Sequence, residues 1–167
     1  LSNLKLINPR DGWPNERANA MSSGALEKIP EVEIFPNTAD ALKPYHHVYA
    51  TTARPRDMVK PVLTAAETAK DMKDRISSGQ KCAILFGGER AGLSNDDVAL
   101  SHSIVTIPLN PDFSSLNLSQ AVLLLSYEWS KQNYKAESDE ETDIADHDQL
   151  NAFFSRLESS LEEKNFF

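Results

Sequence analysis

Short apolar runs alternate with segments of helical periodicity along most of the chain. Five of these runs are four to seven residues long and stop at a proline, a glycine or a polar turn, which is typical of strands: residues 4–9, 32–35, 46–52, 81–87 and 103–109. Between them, capping residues, helical spacing and glycine stops predict helices over residues 15–29 with a break near Gly24, 37–43, 59–79, 94–101 and 117–134.

This alternation predicts an α/β fold with a mostly parallel sheet and helices on both faces, because parallel neighbours are joined by right-handed helical crossovers. The strand over 81–87 is too apolar to face water on either side, as expected for such a sheet. The helix over 117–134 is apolar almost all round, so we expect most of it to be buried.

The end of the chain differs in composition. Residues 135–147 are predicted to form an acidic linker, and residues 148–167 an amphipathic helix. One side of that helix carries Leu150, Phe153, Phe154, Leu157 and Leu161. The main domain is therefore expected to span residues 1–134.

The formal charge of −8 does not by itself exclude a nucleic-acid partner, because the acids are unevenly distributed. Residues 135–167 hold ten acidic and three basic residues, whereas residues 1–134 hold fifteen acidic and fourteen basic ones. The bases cluster at Arg10 and Arg17, at Arg54, Arg56 and Lys60, and at Arg90. These clusters are compatible with a binding patch and equally with scattered, solvated charges.

The composition of the chain excludes several kinds of site. The single cysteine, Cys82, excludes an internal disulfide framework and a multi-cysteine zinc site, and its apolar strand indicates a buried thiol. The four histidines have no metal-ligand spacing, so we expect no metal. No apolar run approaches a membrane span and no signal peptide opens the chain, so we expect a cytoplasmic protein without a membrane partner.

Two turns are unusually rich in polar and glycine residues, and each follows an apolar strand. They are "FGGERAGLS" over 86–94 and "IPLNPDFSSLNLSQAV" over 107–122. In open α/β sheets, ligands bind outside the carboxyl ends of the strands. Gly87 and Gly88 would let a ligand approach the backbone, although an ordinary strand-to-helix turn also explains them. Ser115 or Asn117 also suits an N-cap of the following helix.

The glycine turn matches neither G-x-G-x-x-G nor the P-loop, which disfavours a dinucleotide or ATP site. A flavodoxin-like protein that binds a phosphate ligand in this turn stays open as an alternative.

Together, "ILFGGERAGLS" and "IPLNPDFSSLNLSQAVLLLSYE" resemble the two carboxyl-side motifs of the SpoU (TrmH-like) branch of the SPOUT RNA methyltransferases. The pattern is most similar to the TrmJ-type group of tRNA methyltransferases. "LKLINPRDGWPNERA" and "VYATTARPR" match that group as well. The resemblance extends from Leu1 to about Tyr134.

The resemblance implies a parallel α/β sheet whose carboxyl end is tied in a deep trefoil knot, and a homodimer with the active site at its interface. It implies that S-adenosylmethionine is bound by Thr51, Thr52, Ala53, Leu85, Gly87, Gly88, Ile107, Leu109, Leu116 and Leu118. The polar positions near the methyl-transfer centre would be Glu89, Ser115 and Asn117.

The implied activity is transfer of a methyl group to a ribose 2′-hydroxyl in tRNA, at a cytidine or uridine at the start of the anticodon loop. The RNA would contact Arg10, Arg17, Arg54, Arg56 and Arg90. Methylation of ribosomal RNA is one alternative, and a knotted module that binds RNA or cofactor without catalysis is another.

Two family features fall outside the matched motifs. A motif of the type N-x-G-A-x-x-R, whose arginine assists deprotonation, would precede the strand that begins at Leu4. We therefore expect a strand and helix before Leu1. The helix over 148–167 would be the start of the group's helical extension, which helps bind tRNA.

Overall fold

The computed structural model describes residues 3–53, 59–110, 112, 116–132, 147–164 and 166. The chain divides into two compact units, Leu1–Tyr134 and Lys135–Phe167. In the first unit the elements are β1 (Lys5–Ile7), α1 (Glu16–Met21), a 3₁₀ turn (Ala25–Lys28), β2 (Glu33–Phe35), α2 (Thr38–Leu42), β3 (His47–Thr51), β4 (Val62–Thr64), α3 (Ala65–Ser77), β5 (Cys82–Leu85), α4 (Asn95–Ala99), β6 (Ser103–Thr106) and α5 (Leu118–Lys131). The second unit contains α6 (His147–Glu163).

The described strands form two sheets, and all of their pairings are parallel. One sheet has four strands in the order β4-β6-β3-β5, and the other pairs β1 with β2. The predicted α/β class with a mostly parallel sheet is confirmed, but the strands are shared between two sheets rather than one. In the larger sheet β3 is flanked on both sides, since Tyr49 lies opposite Ile84 of β5 and Ser103 of β6.

Alternate residues of β3 enter two separate cores. Val48 and Ala50 belong to a cluster with apolar residues of β5, α4 and β6, and partly buried residues of β1 and α2 pack against it. Tyr49 belongs to a cluster on the other face, with residues of α3, β6 and α5. Both faces of β3 are therefore covered, as its near-continuous apolar sequence requires.

The predicted helix over 59–79 begins too early. Residues Val62–Thr64 form strand β4 beside β6, and α3 starts at Ala65. A capping box sets this boundary, because Thr64 Oγ1 accepts from the Glu67 amide and Glu67 Oε2 accepts from the Thr64 amide at 2.8 Å. The apolar residues of β4 also fit the helical spacing of α3, so the sequence pattern predicts one continuous helix.

The prediction that most of α5 is buried is wrong within this chain. In this helix Leu125 is the buried residue, at 2% exposure. Leu123 and Tyr127 are 67% and 57% exposed, and Val122 and Leu124 are also exposed. Only one stripe of α5 packs on the sheet and α3, so an apolar stripe on its other side faces outward.

A buried histidine lies at the amino-terminal end of β3. His47 is 7% exposed, its Nε2 atom is 3.1 Å from Ser103 Oγ, and its ring stacks on that of His102 with centroids 4.8 Å apart. Burial lowers the pKa of His47; electrostatic interactions with Arg75 and His102 add to that effect, and Asp71 opposes it.

We predict that this histidine makes the free energy of unfolding fall between pH 7 and pH 5. The unfolded chain binds the proton at a pKa of about 6.5, whereas folded His47 binds it at a lower pH. The contribution of neutral His47 to the free energy of unfolding is therefore fully present above the unfolded pKa of about 6.5. It decreases below that pH, by at most about 1.4 kcal/mol per pH unit. The carboxylates with lowered pKa, such as Asp71, act at lower pH.

Urea unfolding curves measured across this range test the prediction. His47→Gln should flatten the pH dependence, because glutamine does not titrate. His147→Gln, which changes an exposed histidine of the second unit, should leave it unchanged. Equal slopes for the wild type and His47→Gln would contradict the assignment.

Candidate functional site

An open cleft lies at the carboxyl ends of β3, β5 and β6, with a volume of about 220 Å³. Three chain segments line it, one after each strand: Thr51–Ala53, Phe86–Leu93, and the pair Ile107 and Leu109. Leu116, Leu118 and Ala121 at the start of α5 complete the wall. The parallel register causes this convergence, because it places three strand ends at the same edge of the sheet.

Two hydrogen bonds hold the first segment against its neighbours. Thr51 Oγ1 donates to the Leu85 carbonyl at 2.8 Å, and the Thr52 amide donates to the Val105 carbonyl at 3.2 Å. The segment after β3 is thus bonded to both flanking strands at the edge of the cleft. Leu85 itself does not line the cleft; its side chain is 7% exposed and belongs to the core.

The segment over 87–93, here named the glycine loop, is a tight loop closed on itself. Gly88 and Gly92 form an isolated antiparallel bridge, with the Gly92 amide 2.8 Å from the Gly88 carbonyl. Gly92 has φ +68°, a conformation that favours glycine. A Cβ on Gly87 would lie 2.1 Å from the Gly92 carbonyl carbon, whereas a Cβ on Gly88 would meet nothing within 4 Å.

Two charged residues and a helix cap lie at the mouth of the cleft. Glu89 and Arg90 are exposed and line it. Asn117 is exposed and is the N-cap of α5, where its Oδ1 atom accepts from the Ser119 amide at 2.9 Å and from Ser119 Oγ at 2.7 Å. Asn117 lies between two lining residues, Leu116 and Leu118, without itself being one.

The predicted RNA-binding arginines are placed in different surroundings. Arg90 lines the cleft, while Arg10 and Arg17 line a separate shallow depression next to α1. Arg10 forms an exposed ion pair with Asp11 at 2.6 Å. That pairing raises the pKa of Arg10, and the charge of Glu89 adds a smaller effect in the same direction. Ser115, Arg54 and Arg56 lie outside the described residues.

Most of the residues assigned to the cofactor lie together. Nine of the ten line the cleft: Thr51, Thr52, Ala53, Gly87, Gly88, Ile107, Leu109, Leu116 and Leu118. The cleft also includes residues that are not among the sequence-predicted site residues: Phe86, Ala91, Gly92, Leu93, Val105 and Ala121. They are sequence neighbours of the predicted residues. The sequence therefore indicates which turns form the cleft, but not every residue that lines it.

Within the described ranges, no group of three or more His, Cys, Asp or Glu side chains is arranged to hold a metal ion. Nor is any helix in the described part of the chain both long and apolar enough to cross a membrane.

Comparison with known proteins shows the family to which the chain belongs. Residues 1–127 match the model of the SpoU rRNA Methylase family. The chain belongs to this family. It is 35% identical over 173 residues to the tRNA (cytidine/uridine-2′-O-)-methyltransferase TrmJ of Yersinia pestis (strain Pestoides F), with 99% of the chain aligned.

Two solved structures of other proteins share the fold. A crystal structure of TrmJ from Z. mobilis ZM4 is 42% identical, with a TM-score of 0.75, and is matched over 100% of this chain and 70% of that one. A probable methylase family protein from Haemophilus influenzae Rd KW20 is 32% identical, with a TM-score of 0.70 and the same coverage. The chain spans 66% of the length of the Yersinia relative.

The two neighbouring glycines of the SpoU glycine loop provide a matched test. We predict that Gly87→Ala destabilises the protein by about 1–3 kcal/mol, because its methyl group would collide with backbone atoms of Gly92 and Leu93 that cannot rotate away. Gly88→Ala should change the free energy of unfolding by well under that amount. Chemical denaturation of both variants measures the difference, and equal losses would refute the close approach at Gly87.

Proposed function

We propose that this SpoU-family chain belongs to an enzyme that uses S-adenosylmethionine to methylate a ribose 2′-hydroxyl in tRNA, at a cytidine or uridine at the start of the anticodon loop. The observation that carries the proposal is the convergence of the glycine loop and the segments after β3 and β6 on one cleft. The name of the Yersinia relative, a tRNA (cytidine/uridine-2′-O-)-methyltransferase, supports the substrate class.

The lining of the cleft suits the proposed methyl donor. Ile107, Leu109, Leu116 and Leu118 supply an apolar wall for a flat adenine ring. The backbone of the glycine loop also lines the cleft, and the open space beside Gly88 admits a ligand close to the main chain. When bound, the donor would supply an electrophilic methyl group and leave as S-adenosylhomocysteine, while the hydroxyl loses its proton to a base. The protein must therefore orient the ribose and assist that deprotonation.

We assign that orientation to the polar residues at the mouth of the cleft. The Oδ1 atom of Asn117 is engaged by the α5 cap, so its amide nitrogen is the group directed to the nucleotide. Glu89 orients a basic side chain, and Arg90 binds an RNA phosphate. Ser115 is assigned to the same centre from the family motif. Arg10, Arg17, Arg54 and Arg56 extend the RNA contact.

Two further features belong to the proposal. The chain is threaded as a deep trefoil knot, which is supported by the match to the SpoU rRNA Methylase family and by the convergence of three segments on one cleft. The enzyme is a homodimer with the active site at its interface, for which the outward apolar stripe of α5, defined by Val122, Leu123, Leu124 and Tyr127, offers the contact surface. The protein acts in the cytoplasm.

A methyl-transfer assay on the whole enzyme to which this chain belongs tests the activity. With unmodified tRNA and labelled S-adenosylmethionine, we expect one methyl group per tRNA, and mass mapping should place it on a ribose at the start of the anticodon loop. Labelling of ribosomal RNA alone would favour the ribosomal alternative. Tight binding of S-adenosylhomocysteine without any transfer would favour a binding module.

A pair of Asn117 variants separates catalysis from capping. Asp is as good an N-cap as Asn, so Asn117→Asp should keep the stability of α5 while it removes the amide donor. We predict a fall of about 100-fold in kcat/KM for tRNA with an unchanged melting temperature. Asn117→Ala should lose the same activity and also about 1 kcal/mol of stability. Full activity of Asn117→Asp would reduce Asn117 to a cap.

The dimer is tested on the exposed stripe of α5. We predict that Leu123→Glu converts the dimer to a monomer in sedimentation velocity, because a carboxylate buried at an apolar interface carries a large desolvation cost. Met21→Glu, at a residue of α1 that is 85% exposed, is the matched control and should stay dimeric. A wild-type monomer, or a dimeric Leu123→Glu, would contradict the interface.

A further inference from the structure

One lysine outside the cleft makes an unusual set of contacts. The Lys60 ammonium donates to the carbonyls of Val98 at 2.9 Å, Ala99 at 2.8 Å and Ser101. An ammonium group has three N–H donors, so all of them are used on the backbone at the carboxyl end of α4. Lys60 therefore acts as a cap supplied by a segment 38–41 residues distant in sequence.

This contact matters most for the Ala99 carbonyl, because the Val98 carbonyl also accepts from the Ser101 amide at 3.1 Å and from Ser101 Oγ at 2.7 Å. The His102 amide, which would continue the helical pattern to Val98, donates instead to the Val48 carbonyl at 2.8 Å. A cation at the carboxyl end of a helix is also favoured by the helix dipole. Without Lys60, the Ala99 carbonyl loses the partner described for it.

The other end of α4 is held in a corresponding way. Asp97 accepts from Ser94 Oγ at 2.6 Å within a capping box, and from Thr38 Oγ1 at 2.5 Å. Thr38 and Lys60, which come from two distant segments, thus hydrogen-bond to a five-residue helix at its two ends. A helix this short is unstable alone, so its position depends on these contacts and on Val98, which is fully buried.

This matters for the cleft because α4 follows the glycine loop directly. Leu93 lines the cleft, Ser94 caps α4, and Leu93 and Val98 belong to the same core cluster. A shift of α4 would therefore move Leu93 and the closing Gly88–Gly92 bridge. Lys60 also adjoins Pro61, whose carbonyl accepts from the Ile104 amide at 2.8 Å, so the lysine is anchored to the sheet.

We propose that Lys60 is a positioning residue that fixes the glycine loop through α4 and thereby sets the affinity of the cleft for the methyl donor. The effect on the donor rests on the proposed function. The effect on the loop does not, since it follows from the hydrogen bonds of Lys60 alone.

Lys60→Met keeps an unbranched side chain that is one atom shorter and removes the three donors of the ammonium group. In the full chain we expect the Kd for S-adenosylhomocysteine and the KM for S-adenosylmethionine to rise about tenfold, with kcat within about twofold of wild type. Lys70→Met, at an exposed lysine of α3, is the control and should leave all three values unchanged. Lys60→Arg keeps the cation in a planar group and should give an intermediate affinity.

Hydrogen exchange provides a readout that needs no ligand. The Gly92 amide should exchange about tenfold faster in Lys60→Met than in wild type, and equally fast in Lys70→Met and wild type. If the methionine variant does not fold, the same comparison with Lys60→Arg decides.

Two results would overturn the positioning role. One is wild-type affinity in a Lys60 variant whose melting temperature has fallen, which would leave a helix cap only. The other is unchanged exchange at Gly92. Absence of any S-adenosylhomocysteine binding by the wild type would instead overturn the proposed function, while faster Gly92 exchange in Lys60→Met would still support the role of Lys60 in the loop.

Discussion

The parallel pairing of β3 with both β5 and β6 is the constraint on which the cleft depends. His47 to Ala50 are buried, with alternate side chains in opposite cores, so a slip of one residue would exchange the contents of the two cores. With this register fixed, Thr51, Leu85 and Val105 lie together at one edge. The hydrogen bonds from Thr51 to Leu85 and from Thr52 to Val105 then follow from the sheet rather than from the loops.

Much of this arrangement was readable from the sequence, because strands and caps leave local signals. The strand around Val48, the cap at Asn117 and the two motif turns are all set by residues close together in the chain. Strand β4 was missed because Val62 and Leu63 also fit the helical spacing of α3. Periodicity alone does not separate a three-residue strand from the first turn of a helix.

The contacts that the sequence did not reveal join side chains to distant backbone. In the sequence Lys60 lies near Arg54 and Arg56 and suits a basic patch, yet its ammonium is bound to carbonyls around α4. No pattern of residue types marks a carbonyl as an acceptor, since every residue carries one. Likewise, Gly87 and Gly88 look alike in sequence, and only the approach of Gly92 gives them different roles. Local patterns therefore located the cleft, and tertiary packing decided which residues shape it.

The error over α5 has a different physical origin. A helix that is apolar on most of its faces is expected to be buried, but its sequence does not show whether its own chain or another molecule buries it. Leu125 is covered by this chain, whereas Leu123 and Tyr127 are not. If a second copy covers that stripe, as proposed, the apolar character of α5 is a property of the assembly. The amino end of the same helix contributes Leu118 and Ala121 to the cleft, so assembly and ligand binding would act on one rigid element.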